Sequence, residues 1–100
     1  MNKININDQF TQLKEEWAPK VIAQSNDQAI RVIKGSGELG WHKHDNEEKI
    51  VIVYKGQLTL KLNTGEIVLE AGEMYVVPKG LEHCPVATPD THFMMIEPAQ

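Results

Sequence analysis

The sequence predicts an all-β domain, a small barrel or jelly roll of eight or nine short strands with one short helical segment at its N-terminus. From residue 21 onward, short apolar runs alternate with turn sequences such as Gly35-Ser36-Gly37 and Lys55-Gly56-Gln57. That pattern is typical of antiparallel barrels and sandwiches. Helical periodicity occurs only once, before the first of these runs.

The predicted organisation is a single domain covering residues 1–100, with an N-terminal helical or extended cover (1–20) and a β-barrel (21–98). A net charge of −4 argues against a nucleic-acid surface, which usually carries a basic patch. No apolar segment is long enough to predict a signal peptide or a membrane span. Because Cys84 is the only cysteine, no intrachain disulfide is expected, and the cytoplasm is the expected location.

The helical segment is predicted at residues 8–17. Its apolar residues recur at helical spacing on one side; they are Phe10, Leu13 and Trp17. Asn7 or Asp8 can cap its start, and Pro19 prevents continuation. A short helix, or a pair of turns, is therefore expected to lie over the outside of the sheet.

The predicted strands follow in chain order. They are 21–23, 29–34, 38–44, 49–54, 58–62, 66–69, 74–77 and 92–96. The strand at 49–54 contains an unbroken apolar run, Ile50-Val51-Ile52-Val53, so both of its faces need a cover. By contrast, the strand at 58–62 alternates apolar and polar residues, so one of its faces is expected to be exposed to water. Asn63-Thr64-Gly65 joins it to the next strand as a tight hairpin.

Three histidines are the candidate functional residues. His42 and His44 are separated by one residue, so on a strand both imidazoles leave the same face. His83 follows a rigid turn framed by Pro78 and Gly80. Neutral imidazole is the commonest protein ligand for transition metals. Any one of these histidines alone is better explained by polar contacts in a cavity, so the metal-site hypothesis needs all three to converge.

The two histidine motifs resemble those of the cupin superfamily, whose domains are small double-stranded β-helix (jelly-roll) barrels. The residues matching the first motif are Gly37, His42, His44 and Gly56, and those matching the second are Gly72, Pro78, Gly80 and His83. The second motif matches at every spacing, although Ala87 stands where an asparagine is usual. The wider chain also resembles short single-domain bacterial cupins of undefined substrate, in stretches such as Trp17-Ala18-Pro19 and Ile96-Glu97-Pro98.

The resemblance implies a divalent metal (iron, manganese, nickel or zinc) held by His42, His44 and His83, and a small-molecule ligand. It implies a metal-dependent dioxygenase or isomerase acting on a small polar metabolite. The alternative is a non-catalytic sugar- or effector-binding barrel, or a metal-free one. The resemblance is specific for fold and not for activity, because cupin barrels carry many functions; no catalytic residue is assigned.

One position departs from the family pattern. Five residues after His44, the usual metal-binding glutamate is replaced by Lys49. With regular strand pairing, Lys49 points into the barrel and Glu48 points out. Because an ammonium repels a metal ion, either the lysine deprotonates, or it swings away, or the metal is weakly held or absent. Alternatively, a β-bulge at Glu47-Glu48 turns Glu48 inward as a fourth group. The sequence leaves both alternatives open.

The two-sided apolar strand also bears on assembly. The N-terminal segment can cover part of its outer face, and the resemblance implies that a second copy covers another part, because cupins commonly pair sheet to sheet. A homodimer is therefore expected.

Overall fold

The strand order along the chain is given by a computed structural model, which describes residues 3–99. Residues 1, 2 and 100 of the predicted domain lie outside the described residues. The elements are one helix, α1 (Ile6–Thr11), and seven strands: β1 (Lys20–Ser25), β2 (Gln28–Glu38), β3 (Lys49–Lys55), β4 (Gln57–Leu62), β5 (Gly65–Glu70), β6 (Met74–Val77) and β7 (Cys84–Pro98). Between residues 3 and 99, no helix has the length and apolar character needed to cross a membrane.

The sheet is antiparallel throughout and is organised around β7, which is 15 residues long. On one side, its first part pairs with β4 and its last part with β3; on the other side, β2 pairs with both parts. β1 extends the sheet beyond β2, β6 extends it beyond β3, and β5 pairs with β4. The long strand therefore passes from one half of the barrel to the other. This architecture confirms the prediction of an all-β jelly roll.

The core lies between the two halves of the barrel. Alternation along β3 sends Val51 and Val53 inward, where both are buried, while Ile50 and Ile52 stay partly exposed on the outer face. The buried apolar cluster consists of Ile33, Val51, Val53, Leu58, Leu60, Leu69, Val77, Ala87 and Phe93. Its members come from β2 to β7, so packing of these residues holds the two halves together.

The predicted helix at 8–17 is wrong in its bounds. α1 begins earlier and ends at Thr11, and its N-cap is Asn5 rather than Asn7 or Asp8. The Asn5 side chain accepts a hydrogen bond of 3.0 Å from the backbone N–H of Asp8, which satisfies one free donor of the first turn. Phe10 is buried and stacks on Tyr54 and His92. Through Phe10, α1 thus packs against side chains of β3 and β7.

Trp17 leaves the helix because tertiary contacts outweigh its helical spacing. Its backbone N–H donates to the carbonyl of Lys34 at 2.7 Å, and its φ of +60° is left-handed. The indole ring lies directly on Gly35, where a Cβ would come within 2.8 Å of the ring. The ring also packs against Phe93 of the core.

Three strand predictions are also wrong. Gly35-Ser36-Gly37 does not end a strand, because β2 continues through it to Glu38 with a register shift at the glycines. The predicted strand 38–44 is not formed; beyond Glu38 this segment makes only an isolated bridge between His42 and His83. The last strand begins at Cys84 rather than His92. The described residues therefore form seven strands rather than eight or nine.

Candidate metal centre

The three predicted histidines converge at one end of the barrel interior. The centroid of the His42 ring lies 4.4 Å from that of His83 and 5.0 Å from that of His44, and His44 and His83 are 5.7 Å apart. One ring nitrogen from each residue lies within 4.8 Å of the others. Their predicted convergence is confirmed.

Backbone hydrogen bonds fix this convergence. His42 and His83 exchange both N–H to carbonyl bonds at 2.9 Å, and the N–H of Gly80 donates to the carbonyl of His44 at 2.8 Å. The segment that follows β2 is thereby attached to the turn between β6 and β7. Both histidine motifs are held at the level of the main chain, so the side chains need only adopt suitable rotamers.

Two of the rings are oriented by neighbouring carbonyl groups. Nδ1 of His83 lies 2.8 Å from the carbonyl oxygen of Leu81, and Nδ1 of His42 lies 3.2 Å from that of Gly40. A carbonyl can only accept, so Nδ1 must carry the proton that it donates. In the neutral ring, this leaves the lone pair on Nε2 free, and such a carbonyl partner is the usual outer contact of a metal-bound histidine.

The site favours the neutral form of His44 and His83. Burial lowers the pKa of His44, and the positive charges of Lys49, His42 and His83 lower it further. Burial also lowers the pKa of His83, outweighing the opposite effect of its bond to Leu81. The neutral ring is the form that coordinates metals. Three imidazoles in a half-buried site fit iron(II), manganese, nickel or zinc, so the residues present suit a divalent cation.

A cavity of about 200 Å³ opens beside the three histidines. It lies between the two halves of the barrel, and its walls are largely apolar; they include Ile33, Val51, Leu58, Leu60, Phe93 and Met95. Trp17 also lines it, whereas Trp41 is half exposed and does not. The polar side chains that reach the cavity are the three imidazoles and Lys49.

Lys49, rather than Glu48, faces this cavity. Lys49 lines the cavity, and from Lys49 opposite Val77 to Ile52 opposite Met74 the register between β3 and β6 runs without a shift. Glu48 lies instead in a separate groove lined by Ile50 and other residues of the outer face. The expectation of a fourth group supplied by Glu48 has no support in this geometry, because Glu48 lines the groove and not the cavity.

The sequence analysis missed the partner of Lys49. Its ammonium nitrogen lies 2.7 Å from a carboxylate oxygen of Glu97, a residue whose side chain is only 2 % exposed, and Arg31 donates to the other carboxylate oxygen. Burial alone would raise the pKa of Glu97, but the hydrogen bonds and charges of Lys49 and Arg31 outweigh it and hold this pKa below its usual value. The sequence did contain a reason to look for such a partner, because an inward-facing lysine needs a counter-ion on a neighbouring strand.

The β-helix barrel and the paired histidine motifs define a cupin-type domain, and comparison with known proteins agrees. Residues 28–97 match the sequence profile of the Cupin domain family (Cupin_2). The chain belongs to this family.

Three relatives illustrate the similarity. The chain is similar to a cupin-2 domain containing protein from Shewanella frigidimarina NCIMB 400, with a TM-score of 0.92 and 43 % identity over 95 % of this chain and 93 % of the other. It is similar to protein NMB1881 from Neisseria meningitidis, with a TM-score of 0.87 and 28 % identity over 97 % and 99 %. It is 33 % identical to YdbB of Bacillus subtilis (strain 168) over 72 % of this chain, a match that spans 65 % of that relative's length.

Proposed function

We propose that this protein is a metal-binding cupin in which His42, His44 and His83 hold one divalent cation at the mouth of a small-molecule cavity. The supporting observation is the arrangement of the imidazoles, whose ring nitrogens lie within 4.8 Å of one another. The carbonyl contacts of His42 and His83 add to it, because each occupies Nδ1 and leaves the Nε2 lone pair of a neutral ring available to a cation.

The proposed activity is oxidation or isomerisation of a small metabolite, of the dioxygenase or isomerase type. A bound cation would act as a Lewis acid or lower the pKa of a coordinated water. The protein's own contribution is to hold the cation through three neutral rings and to enclose the substrate in apolar walls that exclude water. Lys49 offers a positive group beside the open side of the site.

A second candidate is a binding protein without turnover. The observation that favours it is the lysine at position 49, because an ammonium beside the imidazoles weakens the hold on a cation while offering an anionic ligand a partner. In that case the barrel is an effector-binding domain, and the cavity rather than a metal centre determines its function.

Metal analysis of protein purified without an affinity tag tests the first candidate. We expect one equivalent of iron, manganese, nickel or zinc in the wild type, with iron or manganese favouring the enzymatic form. The His42→Ala/His44→Ala variant should remain folded by circular dichroism and lose the metal. The fourth histidine, His92, is buried against Phe10 rather than in the cavity, so His92→Gln is the matched control and should keep it.

Two outcomes would contradict this proposal. One is a wild-type protein that takes up no divalent cation under any loading condition, which would favour the metal-free binding barrel. The other is a folded double-alanine variant that keeps its metal, which would mean that the cation is bound elsewhere.

We also propose that two copies associate through the outer face of β3 and β6. This face is apolar, with Ile50 opposite Val76 and Ile52 opposite Met74, and Met74 and Val76 are 54 % and 42 % exposed. Pairing two such faces would remove this surface from water. Light scattering after size exclusion should give twice the chain mass of 11.3 kDa, and Val76→Glu should shift the mass toward the monomer. A monomer mass for the wild type at micromolar concentration would contradict the dimer.

A further inference from the structure

The cavity beside the histidines carries a fixed positive charge. Lys49 and Arg31 share one carboxylate, that of Glu97, so the three groups together carry a net charge of +1. Within residues 3–99, no aspartate or glutamate lines the cavity, so nothing there cancels this charge. A ligand that enters meets a positive site whether or not a cation is bound.

The Lys49 ammonium is held in place and still has donors to offer. Its side chain is 14 % exposed and lines the cavity, and Glu97 is its carboxylate partner at 2.7 Å. An ammonium has three N–H donors, and Glu97 occupies one of them. Because the Glu97 side chain is almost fully buried and also bonded to Arg31, it fixes the direction of the Lys49 chain, and the remaining donors are available to a ligand.

The rest of the cavity selects against polar ligands. Its walls are aliphatic and aromatic, with Val51, Leu60 and Phe93 among them. The hydroxyl groups of a sugar would lose their water and find few partners there, which is costly. The volume of about 200 Å³ lies below the roughly 300 to 1,000 Å³ of most ligand pockets, so the ligand must be small.

We propose that the cavity binds a small organic monoanion with an apolar body, an aromatic or branched-chain carboxylate, whose anionic group contacts Lys49 while its body lies against Val51, Leu60 and Phe93. This proposal rests on the proposed function in that it assigns a ligand class to the same site. It does not require the metal, because the charge of Lys49 is present in the metal-free protein. Where a cation is bound by the three imidazoles, it adds a second attraction for the same anionic group.

Benzoate and benzamide test the proposal, since they have nearly the same shape and differ in charge. Their affinities for metal-free protein are measured by isothermal titration calorimetry or by chemical-shift perturbation. We expect benzoate to bind at least about tenfold more tightly than benzamide. The reason is that its carboxylate makes a partly desolvated charge contact with Lys49. The methyl resonances of Val51 and Leu60 should shift on binding.

Lys49→Met should abolish the preference for benzoate, and Lys49→Gln should do the same. Both variants should fold, because Arg31 remains to pair with Glu97. Lys55→Met is the matched control: Lys55 ends the same strand, but its side chain is 57 % exposed, so the preference should persist. Equal affinities for the two probes, no binding of benzoate up to millimolar concentration, or a preference that survives in both Lys49 variants would overturn the proposal.

The failures of the two proposals are distinguishable. Zinc binding to the same protein is measured separately. A protein that takes up no divalent cation under any loading condition but prefers benzoate through Lys49 would refute the metal function and support the anion site. A protein that binds zinc but shows no Lys49-dependent preference for benzoate over benzamide would support the metal function and refute the anion site.

Discussion

The two ends of β3 carry charge clusters of the same design in different surroundings. At its start, Lys49 pairs with Glu97, which also binds Arg31; at its end, Lys55 pairs with Asp90, which also binds His92. Both lysine–carboxylate contacts measure 2.7 Å and both join β3 to β7. The acids differ in exposure, with 2 % of the Glu97 side chain and 61 % of the Asp90 side chain open to solvent.

The difference shows that burial, not contact distance, determines what a charge cluster contributes. Around Asp90, water screens the charges and competes for each partner, so the ion pair adds little. Around Glu97, the shared carboxylate has lost nearly all of its water, so removing it leaves the two partly buried cations without compensation. The buried cluster also lies beside the cavity, where its uncancelled positive charge can act on a ligand, whereas the exposed cluster lies at the surface.

Replacing each acid with its amide should give the largest difference in stability between the two clusters. Glu97→Gln leaves Lys49 and Arg31 without a counter-ion, and we expect it to lower the free energy of unfolding by about 3 to 5 kcal/mol. Asp90→Asn should change it little, and asparagine tolerates the left-handed backbone at this position, where φ is +59°. Urea unfolding of the three proteins measures both effects. Equal losses in the two variants would show that burial does not govern these clusters.

The contribution of Glu97 should depend on pH in a defined direction. Its pKa is lower in the folded protein than its ordinary value of 4.5, so the unfolded chain binds the proton more readily. The stabilisation is therefore fully present above about pH 4.5 and is lost as pH falls through the folded pKa. We expect the stability gap between the wild type and Glu97→Gln to narrow below pH 4.5. A gap that stayed constant into acid would contradict this assignment.

Replacing the lysines with glutamate should affect metal affinity at only one end of the strand. Lys49→Glu removes a repulsive charge beside the imidazoles and supplies a carboxylate ligand, so divalent-cation affinity should rise by about tenfold or more. Combining it with Glu97→Gln avoids two adjacent carboxylates. Lys55→Glu, far along the strand, should leave the affinity unchanged. Titration with zinc measures all three variants, and an unchanged affinity in both Lys49 variants would mean that residue 49 does not face the metal.

The sequence predicted the site better than it predicted the chain around it. One intervening residue is enough to predict that His42 and His44 share a side, and the Pro78–Gly80 turn precedes His83. The convergence of all three, however, was expected from the resemblance to the cupin motifs and not from these local rules. Counting from His44 also directed Lys49 inward. Glu97 was missed because its contact with Lys49 depends on the pairing of β3 with β7, where Ile50 lies opposite Ile96; residues so distant in sequence meet only once the sheet has formed.

Local sequence patterns gave wrong predictions where tertiary contacts determine the backbone conformation. Trp17 fits a helical stripe, yet its ring covers Gly35 and its N–H is bonded to Lys34. The histidine pair fits a strand, yet Gly40 has a φ of +119°, and the segment leaves the sheet after Glu38. The same-side arrangement of His42 and His44 survives because the bridge to His83 keeps this short stretch extended.

The central claim is that three imidazoles hold one cation at the cavity, and a crystal structure of zinc-loaded protein with anomalous diffraction data tests it most directly. We expect a single strong anomalous peak about 2.0 to 2.1 Å from Nε2 of His42, His44 and His83. Loaded crystals in which the three rings show no shared peak, or in which zinc lies away from them, would contradict the account.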